Sequence, residues 1–335
     1  MKIGVIGAGS WGTALAVLLG RKGLPVSLWV RRTGLLEKIG KMRINSDYLP
    51  DVSIPENIRL TNDLEEAVCR KNFVILSVPS HALVSIMREI RDFTGRHTII
   101  INTAKGLAEG PDMRLSQVIT RLAPQSRVAV LSGPNHAEEV GRLLPTASVV
   151  ASTEEAVAEK VQDLFMAPTF RVYTSPDIIG VELGGALKNI IAIGAGVCDG
   201  LNYGDNTKAA LLTRGLVEIT RLGLALGAHR GTFSGLTGMG DLFVTCASRH
   251  SRNRYVGMML GKDHSLKEVT SAMKMVAEGI RTTRIAYALS QKHSVKMPIT
   301  REIYKLLFLE KDPQQAVKNL MQRQKTHEIE EIAFD

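Results

Sequence analysis

Lys188 is the residue that most needs a chemical explanation. It lies in residues 178–198, IIGVELGGALKNIIAIGAGVC, where almost every position is apolar or small and only Glu182 and Lys188 carry charge. At helical spacing Val181, Gly184, Gly185, Lys188, Ala192 and Ala195 share one stripe, flanked by Leu183, Leu187, Ile190, Ile191 and Val197. The lysine therefore stands in a trough of small residues on a helix apolar enough to be buried. A buried lysine needs a partner or a task, and proton transfer is the task its chemistry suits. The competing reading is an ammonium snorkelling to the helix rim with its stem on leucines.

Other chemistry-bearing groups precede and follow it. Gly7-Ala8-Gly9-Ser10-Trp11-Gly12 stands between a short β-branched run and a helical one. In that setting Gly7 permits a tight turn, Gly9 admits a pyrophosphate to the backbone, and Gly12 allows close helix–strand packing, so the spacing predicts a dinucleotide site. At the end of the second strand, where an acidic residue would bind the ribose 2′-hydroxyl of NAD, the chain has Arg31 and Arg32. Two guanidinium groups suit a 2′-phosphate, so NADP is the expected cofactor, with NAD also possible. Lys105 sits on a later strand end beside Gly106, as a pocket cation or an ordinary surface lysine. Residues 248–254, SRHSRNR, crowd arginines, hydroxyls and an amide into what reads as a short loop, a set able to clamp a phosphate monoester or simply to face solvent.

The elements needed to position these groups follow from the pattern. Strands are expected at 2–6, 26–30, 57–60, 73–78, 98–102 and 128–132, with helices at 13–19, 63–69, 81–94 and 114–122, and closing strands at 147–151 and 170–173. The alternation predicts a doubly wound, mostly parallel Rossmann-type α/β sheet whose ligands lie beyond the strands' carboxyl ends. There fall 77–80, 102–106 and 132–137. After the central helix come a turn at 199–206, a helix over 207–226, a flexible loop over 235–242 ending in an acid, and amphipathic helices over 266–274, 280–292 and 301–309. The polar tail 325–335 is expected to fray. The division expected is thus a dinucleotide-binding domain, 1–176, and an all-α domain, 177–335, for substrate binding and homodimer formation.

Composition narrows the classes. A chain of 335 residues has room for two domains, and its 44% hydrophobic and 22% charged residues exclude a disordered protein. The net charge of +9 comes from scattered residues, and with 5% aromatics no nucleic-acid stacking platform is expected. Small polyanionic ligands account for the surplus equally well. Cys69, Cys198 and Cys246 form no CxxC pair, which points to a reducing compartment, and no histidine cluster calls for a metal. The glycines interrupting the first twenty residues argue against a signal peptide, and no apolar run reaches ~18 residues uninterrupted.

Over nearly its whole length the chain resembles the bacterial-type NAD(P)-dependent glycerol-3-phosphate dehydrogenases, on GAGSWGTALA, NTAKGL, SGPNHAEEV, ELGGALKNIIAIGAGVCDGL, GDNTKAALLTRG, GLTGMGDLFVTC, SRNRYVG and VAEGIRTT, in that order. The resemblance implies a cytoplasmic enzyme that interconverts dihydroxyacetone phosphate and sn-glycerol 3-phosphate for glycerophospholipid synthesis. It implies that Lys188 is the proton donor and acceptor. Lys105, Gly133, Asn135, Asp241, Ser251, Arg252 and Asn253 would join it around the substrate. Ser10, Trp11, Arg31, Arg32, Lys105, Ala137, Arg252, Val276 and Glu278 would hold the cofactor. One departure is Asn135, where the family usually has Ser or Thr, so an amide replaces a hydroxyl.

Ketone reduction needs an acid at the carbonyl oxygen and fixed positive charge around it. Bringing Lys188 from a pKa of ~10.4 to near 7 takes about three units, or ~4 kcal/mol. Desolvation and repulsion from Lys105 are the expected sources, with Asp241 opposing the shift while orienting the lysine. Two other readings compete. A β-hydroxyacid dehydrogenase of the 6-phosphogluconate type also joins a dinucleotide domain to helices, but would carry an asparagine four residues after the lysine, where this chain has Ala192. A non-catalytic nucleotide sensor or nucleic-acid binder would leave the buried lysine without purpose.

Overall fold

The computed structural model describes residues 1–110, 114–273, 275–325 and 327–328. Most of the tail expected to fray, 326 and 329–335, lies outside them. Among the described residues ten strands form: β1 (Ile3–Ile6), β2 (Val26–Trp29), β3 (Ile44–Asn45), β4 (Leu49–Ser53), β5 (Ile58–Thr61), β6 (Phe73–Leu76), β7 (Ile99–Asn102), β8 (Arg127–Ser132), β9 (Thr146–Ala151) and β10 (Phe170–Ser175). Eight of them make one sheet in the order β10-β9-β8-β7-β6-β1-β2-β5, and β3 and β4 pair separately as a hairpin. Every neighbouring pair in the large sheet is parallel except β8 with β9.

The strands are apolar at nearly every position because both faces are covered. Ile3, Val5, Phe73, Ile75, Ile99 and Ile101 join the core on one face, and Ile6, Val74, Leu76 and Ile100 the core on the other. The covering helices are α1 (Ser10–Arg21), α2 (Thr33–Met42), α3 (Leu64–Val68), α4 (Ser80–Ile90), α5 (Leu115–Leu122), α6 (Ala137–Gly141) and α7 (Glu155–Phe165). Sequence patterning leaves α2, the β3–β4 hairpin, α6 and α7 unpredicted. In α7 the buried Val157, Ala158, Val161, Leu164 and Phe165 recur at helical spacing, a pattern that places it against the sheet beside β10.

The remaining helices are α8 (Ile178–Gly200), α9 (Asp205–Ala225), α10 (Arg230–Phe233), α11 (Asp241–Ala247), α12 (Arg252–Gly261), α13 (Leu266–Ala272), α14 (Glu278–Lys292), α15 (Pro298–Phe308) and α16 (Pro313–Met321). The helix α8 is the axis of this half. It is long and apolar enough to cross a membrane, although Glu182 and Lys188 interrupt its apolar run as expected, and 94% of its apolar window is packed inside the protein. Asp177 caps it, Oδ1 accepting Gly180 N–H at 2.8 Å. The small residues of α8 are explained by what touches them. A Cβ at Gly196 would lie 1.9 Å from Arg254 O, and one at Gly257 of α12 would lie 1.8 Å from Ile193 O, so the two helices meet backbone to backbone.

Two expected loops are ordered helical structure. Residues Leu236–Gly240 form a π-helical turn that leads directly into α11. The basic segment continues into α12, with Ser251 as its cap: Oγ accepts Arg254 N–H at 3.2 Å. The glycines and polar residues that read as loop are here satisfying a turn and a helix start.

Buried acids tie helices together. Glu182 of α8 accepts Ser116 N–H at 2.9 Å, the Ser116 hydroxyl, and Arg114 Nη1 at 3.2 Å, so it sits on the N-terminus of α5. Glu218 of α9 does the same for α15, accepting N–H from Ile299 at 2.5 Å and from Thr300 at 3.0 Å. Helix N-termini carry unsatisfied N–H groups and partial positive charge, which is what a buried carboxylate requires.

Candidate active site

Between the strands' carboxyl ends and the helical half runs a cleft of about 510 Å³. At one end lies the glycine turn. Gly7 has φ +112°, a Cβ at Gly12 would lie 1.9 Å from Gly7 O, and a Cβ at Gly9 would project into open space. The first turn of α1 holds no acidic residue and no side chain caps it, so its N–H groups face the cleft unanswered. A pyrophosphate fits such a cradle. Ser10, Trp11, Arg31, Arg32, Ala137 and Val276 line the cleft as expected of a cofactor site, whereas Gly12 is buried behind the turn.

At the other end α8 delivers Lys188, buried, with Nζ donating to Asp241 Oδ1 and, at 2.6 Å, to Thr245 Oγ1. Asp241 opens α11 and Thr245 follows four residues later, so both face the lysine from one side of that helix. Burial pushes the Lys188 ammonium down to about 7, Lys105 pushes the same way, and Asp241 opposes both. An ammonium has three N–H groups. Two are taken, and the third is left for the cleft.

Lys105 is arranged differently. Its Nζ donates to Gly133 O at 2.7 Å, Asn135 Oδ1 at 2.8 Å and Asp241 Oδ2 at 2.9 Å. All three N–H groups are used, so direct donation to a ligand requires exchanging one of them. Gly133, whose carbonyl accepts one of these bonds, has φ +142°, a backbone conformation that side chains rarely adopt. Asn135 resolves its departure from the usual hydroxyl: Oδ1 holds Lys105 while Nδ2 donates to Ser148 Oγ at 2.8 Å.

The groups expected around the substrate phosphate converge at the start of α12. Ser251, Arg252 and Asn253 all line the cleft, with Arg252 Nη1 donating to Val276 O at 2.9 Å. Asn253 is partly committed, donating to Asn189 Oδ1 at 2.9 Å and accepting Gly279 N–H at 2.9 Å. Arg254 points away, paired with Asp199. Glu278 lines the cleft too, but its carboxylate accepts Ser80 N–H at 2.9 Å and the Ser80 hydroxyl, spanning from α14 to the N-terminus of α4.

Sequence reasoning missed several members. Thr245 was legible only as the residue one turn after Asp241. Asn189 joins the two halves, donating to Lys105 O at 3.1 Å. His136, whose ring lies 6.1 Å from that of His250, lines the same wall, and burial and the two lysines push its imidazole below the usual histidine range.

Comparison with known proteins decides the family. A model of the NAD-dependent glycerol-3-phosphate dehydrogenase N-terminus matches residues 2–158, and one of its C-terminus matches residues 177–318. The chain belongs to the NAD-dependent glycerol-3-phosphate dehydrogenase family. Among relatives, the glycerol-3-phosphate dehydrogenase [NAD(P)+] of Moorella thermoacetica is 56% identical over 98% of each chain. That of Pelotomaculum thermopropionicum is 53% identical over 99% of this chain and 96% of its own. The crystal structure of glycerol-3-phosphate dehydrogenase from Coxiella burnetii superposes with a TM-score of 0.93 at 39% identity, covering 96% of this chain and 99% of the other. These matches do not favour the hydroxyacid alternative, and Ala192 is a core residue.

Proposed function

We propose that the protein interconverts dihydroxyacetone phosphate and sn-glycerol 3-phosphate with NADP or NAD, supplying glycerol 3-phosphate for glycerophospholipid synthesis. The observation that carries this is the buried Lys188, biased toward loss of its proton and with one N–H left over, at the end of a cleft whose other end is a dinucleotide turn. Bound NAD(P)H supplies the hydride. Lys188 gives the carbonyl oxygen its proton and, in the reverse direction, takes the hydroxyl proton back. Asp241 and Thr245 hold Nζ in place through that exchange. Lys105, locked by three acceptors, contributes fixed positive charge beside the developing alkoxide. Arg252, Ser251 and Asn253 bind the phosphate, and that remote binding energy sets the carbonyl over Lys188.

The labour divides in the main between the halves: residues 1–176 carry the dinucleotide turn and the helical half from 177 carries Lys188 and the phosphate clamp, with Lys105 and Val276 each serving the other half's ligand. The free thiols of Cys69, Cys198 and Cys246 suit a cytoplasmic enzyme. Exposed Phe243 and Tyr255 on adjoining helices of the helical half provide apolar surface for a homodimer, which sedimentation would reveal as twice the chain mass.

The experiment is loss of nicotinamide absorbance on mixing protein, NADPH and dihydroxyacetone phosphate, with unphosphorylated dihydroxyacetone as control. Turnover confined to the phosphorylated ketone is expected. Equal turnover of both ketones, or none with NADPH bound, rejects the assignment.

A further inference from the structure

Between β2 and β5 the chain inserts the β3–β4 hairpin, and the hairpin is fastened to the glycine turn at two points. Fully buried Asn45 donates to Ala8 O at 2.9 Å and Thr13 Oγ1 at 2.8 Å, and Ser10 Oγ donates to Tyr48 O at 2.7 Å. Asp47 lies between these anchors and is thereby held at the carboxyl end of β2. There its carboxylate meets two cations, Arg32 Nη2 at 3.3 Å and Lys38 Nζ at 2.7 Å. Arg32 also donates to the Tyr48 hydroxyl at 3.3 Å and lies 5.7 Å from the centre of its ring. Arg31, Arg32 and Tyr48 line the cleft, whereas Asp47 and Lys38 reach it only through Arg32.

We propose that Asp47 sets the ratio in which this protein uses NADP and NAD, acting as a positioning residue through Arg32 and Lys38. The inference rests on the cleft being an NAD(P) site. A dianionic 2′-phosphate is bound by guanidinium and ammonium groups through paired, charge-assisted hydrogen bonds. Asp47 already occupies donors on both cations and places a negative charge beside the phosphate. NADP must therefore displace or share the acid, whereas NAD, with a neutral 2′-hydroxyl, meets no such repulsion. The two arginines alone would favour NADP strongly, and the acid held behind them moderates that preference. The anchors matter because they keep a single carboxylate in register with Arg32 and Lys38.

Asp47→Asn keeps the size of the side chain and removes its charge. Calorimetry with adenosine 2′,5′-bisphosphate and with 5′-AMP reads the subsite without turnover, and kcat/KM for NADPH and NADH reads it in the reaction. The variant is expected to bind the bisphosphate about fivefold tighter with 5′-AMP changed by less than about twofold, the size appropriate to a solvent-exposed pair. The difference should shrink at about 0.5 M salt, where exposed charges are screened. Lys38→Gln should move the bisphosphate in the opposite direction. An unchanged ratio of the two affinities overturns the proposal, and so does a parallel change in both, because displacement of the hairpin rather than charge would then govern binding. Since neither nucleotide reacts, absence of turnover with dihydroxyacetone phosphate would reject the substrate assignment and leave this result standing. A wild-type protein that binds neither nucleotide would reject the cofactor reading itself.

Discussion

Lys188 and Asp241 form a buried ion pair across 53 residues of sequence, and Asp241 gives its second oxygen to Lys105 at 2.9 Å. One carboxylate therefore holds two ammonium groups, one of them buried and one partly exposed. The arrangement keeps the cations close enough to repel while preventing either from turning away, so one can lose a proton at neutral pH and the other supplies charge.

Lys188→Met removes the ammonium and keeps the packing of the stem. kcat for ketone reduction should fall by at least about 1,000-fold, the range of a lost general acid, with the far-ultraviolet spectrum unchanged. A folded variant of near-normal kcat would take Lys188 out of the chemistry.

The pH profile follows from the lysine at about 7. Reduction needs the charged form, so kcat/KM for dihydroxyacetone phosphate should be level below pH 7 and fall as pH rises through it. Oxidation of glycerol 3-phosphate needs the neutral amine and should rise over the same interval. Lys105→Met removes the repulsion that favours the neutral form, and the inflection should move up. Profiles that coincide in both directions would contradict the assignment.

Arg252→Ala deletes the cation at the head of α12. KM for dihydroxyacetone phosphate should rise about 10- to 100-fold, the worth of hydrogen bonds to a charged group. kcat at saturating dihydroxyacetone phosphate should change much less than KM. That split, read under steady-state conditions, separates a phosphate contact from general damage to the cleft.

Glu218 connects pH to stability. Burial pushes its carboxyl up to about 7, against the N–H bonds from Thr300 and Ile299 that favour the charged form. Between about 4.5 and 7 the folded protein holds a proton that the unfolded chain has lost. The stability this contributes is complete below pH 4.5 and is lost as pH rises to 7, by about 3 kcal/mol at most. Glu218→Gln cannot ionise. Denaturant melts at pH 5 and pH 8 should show wild type declining relative to the variant, and parallel curves would show that the acid is charged throughout.

The sheet and the chemical lysine were legible because each rests on local pattern: four-residue apolar strands between helices, three glycines at fixed spacing, one charge in a trough of small residues. What was hidden depends on contacts distant in sequence. The β3–β4 hairpin escaped notice because Pro50 and Asp51 are exposed side by side, which breaks alternation, and its anchors, Asn45 and Tyr48, reach back to a turn some forty residues earlier. Thr245 looks like an ordinary helix residue until Asp241 is placed beneath Lys188. Glu182 was left unexplained beside Lys188, since its partner Ser116 lies 66 residues upstream. The glycines at 235–240 suggested slack, whereas a Cβ at Gly238 would lie 2.1 Å from Phe233 O, so that glycine marks close packing instead.

Glu182 and Glu278 belong to the helical half, yet each closes the first turn of a helix that lies against the sheet, α5 and α4 respectively. A fragment cut at the apparent boundary would thus inherit two helices with open ends and lose the carboxylates that finish them. The halves are contiguous in sequence but not interchangeable parts: a sheet half grafted from a distant relative would have to bring receptors for both acids, Ser80 and Ser116, along with its fold.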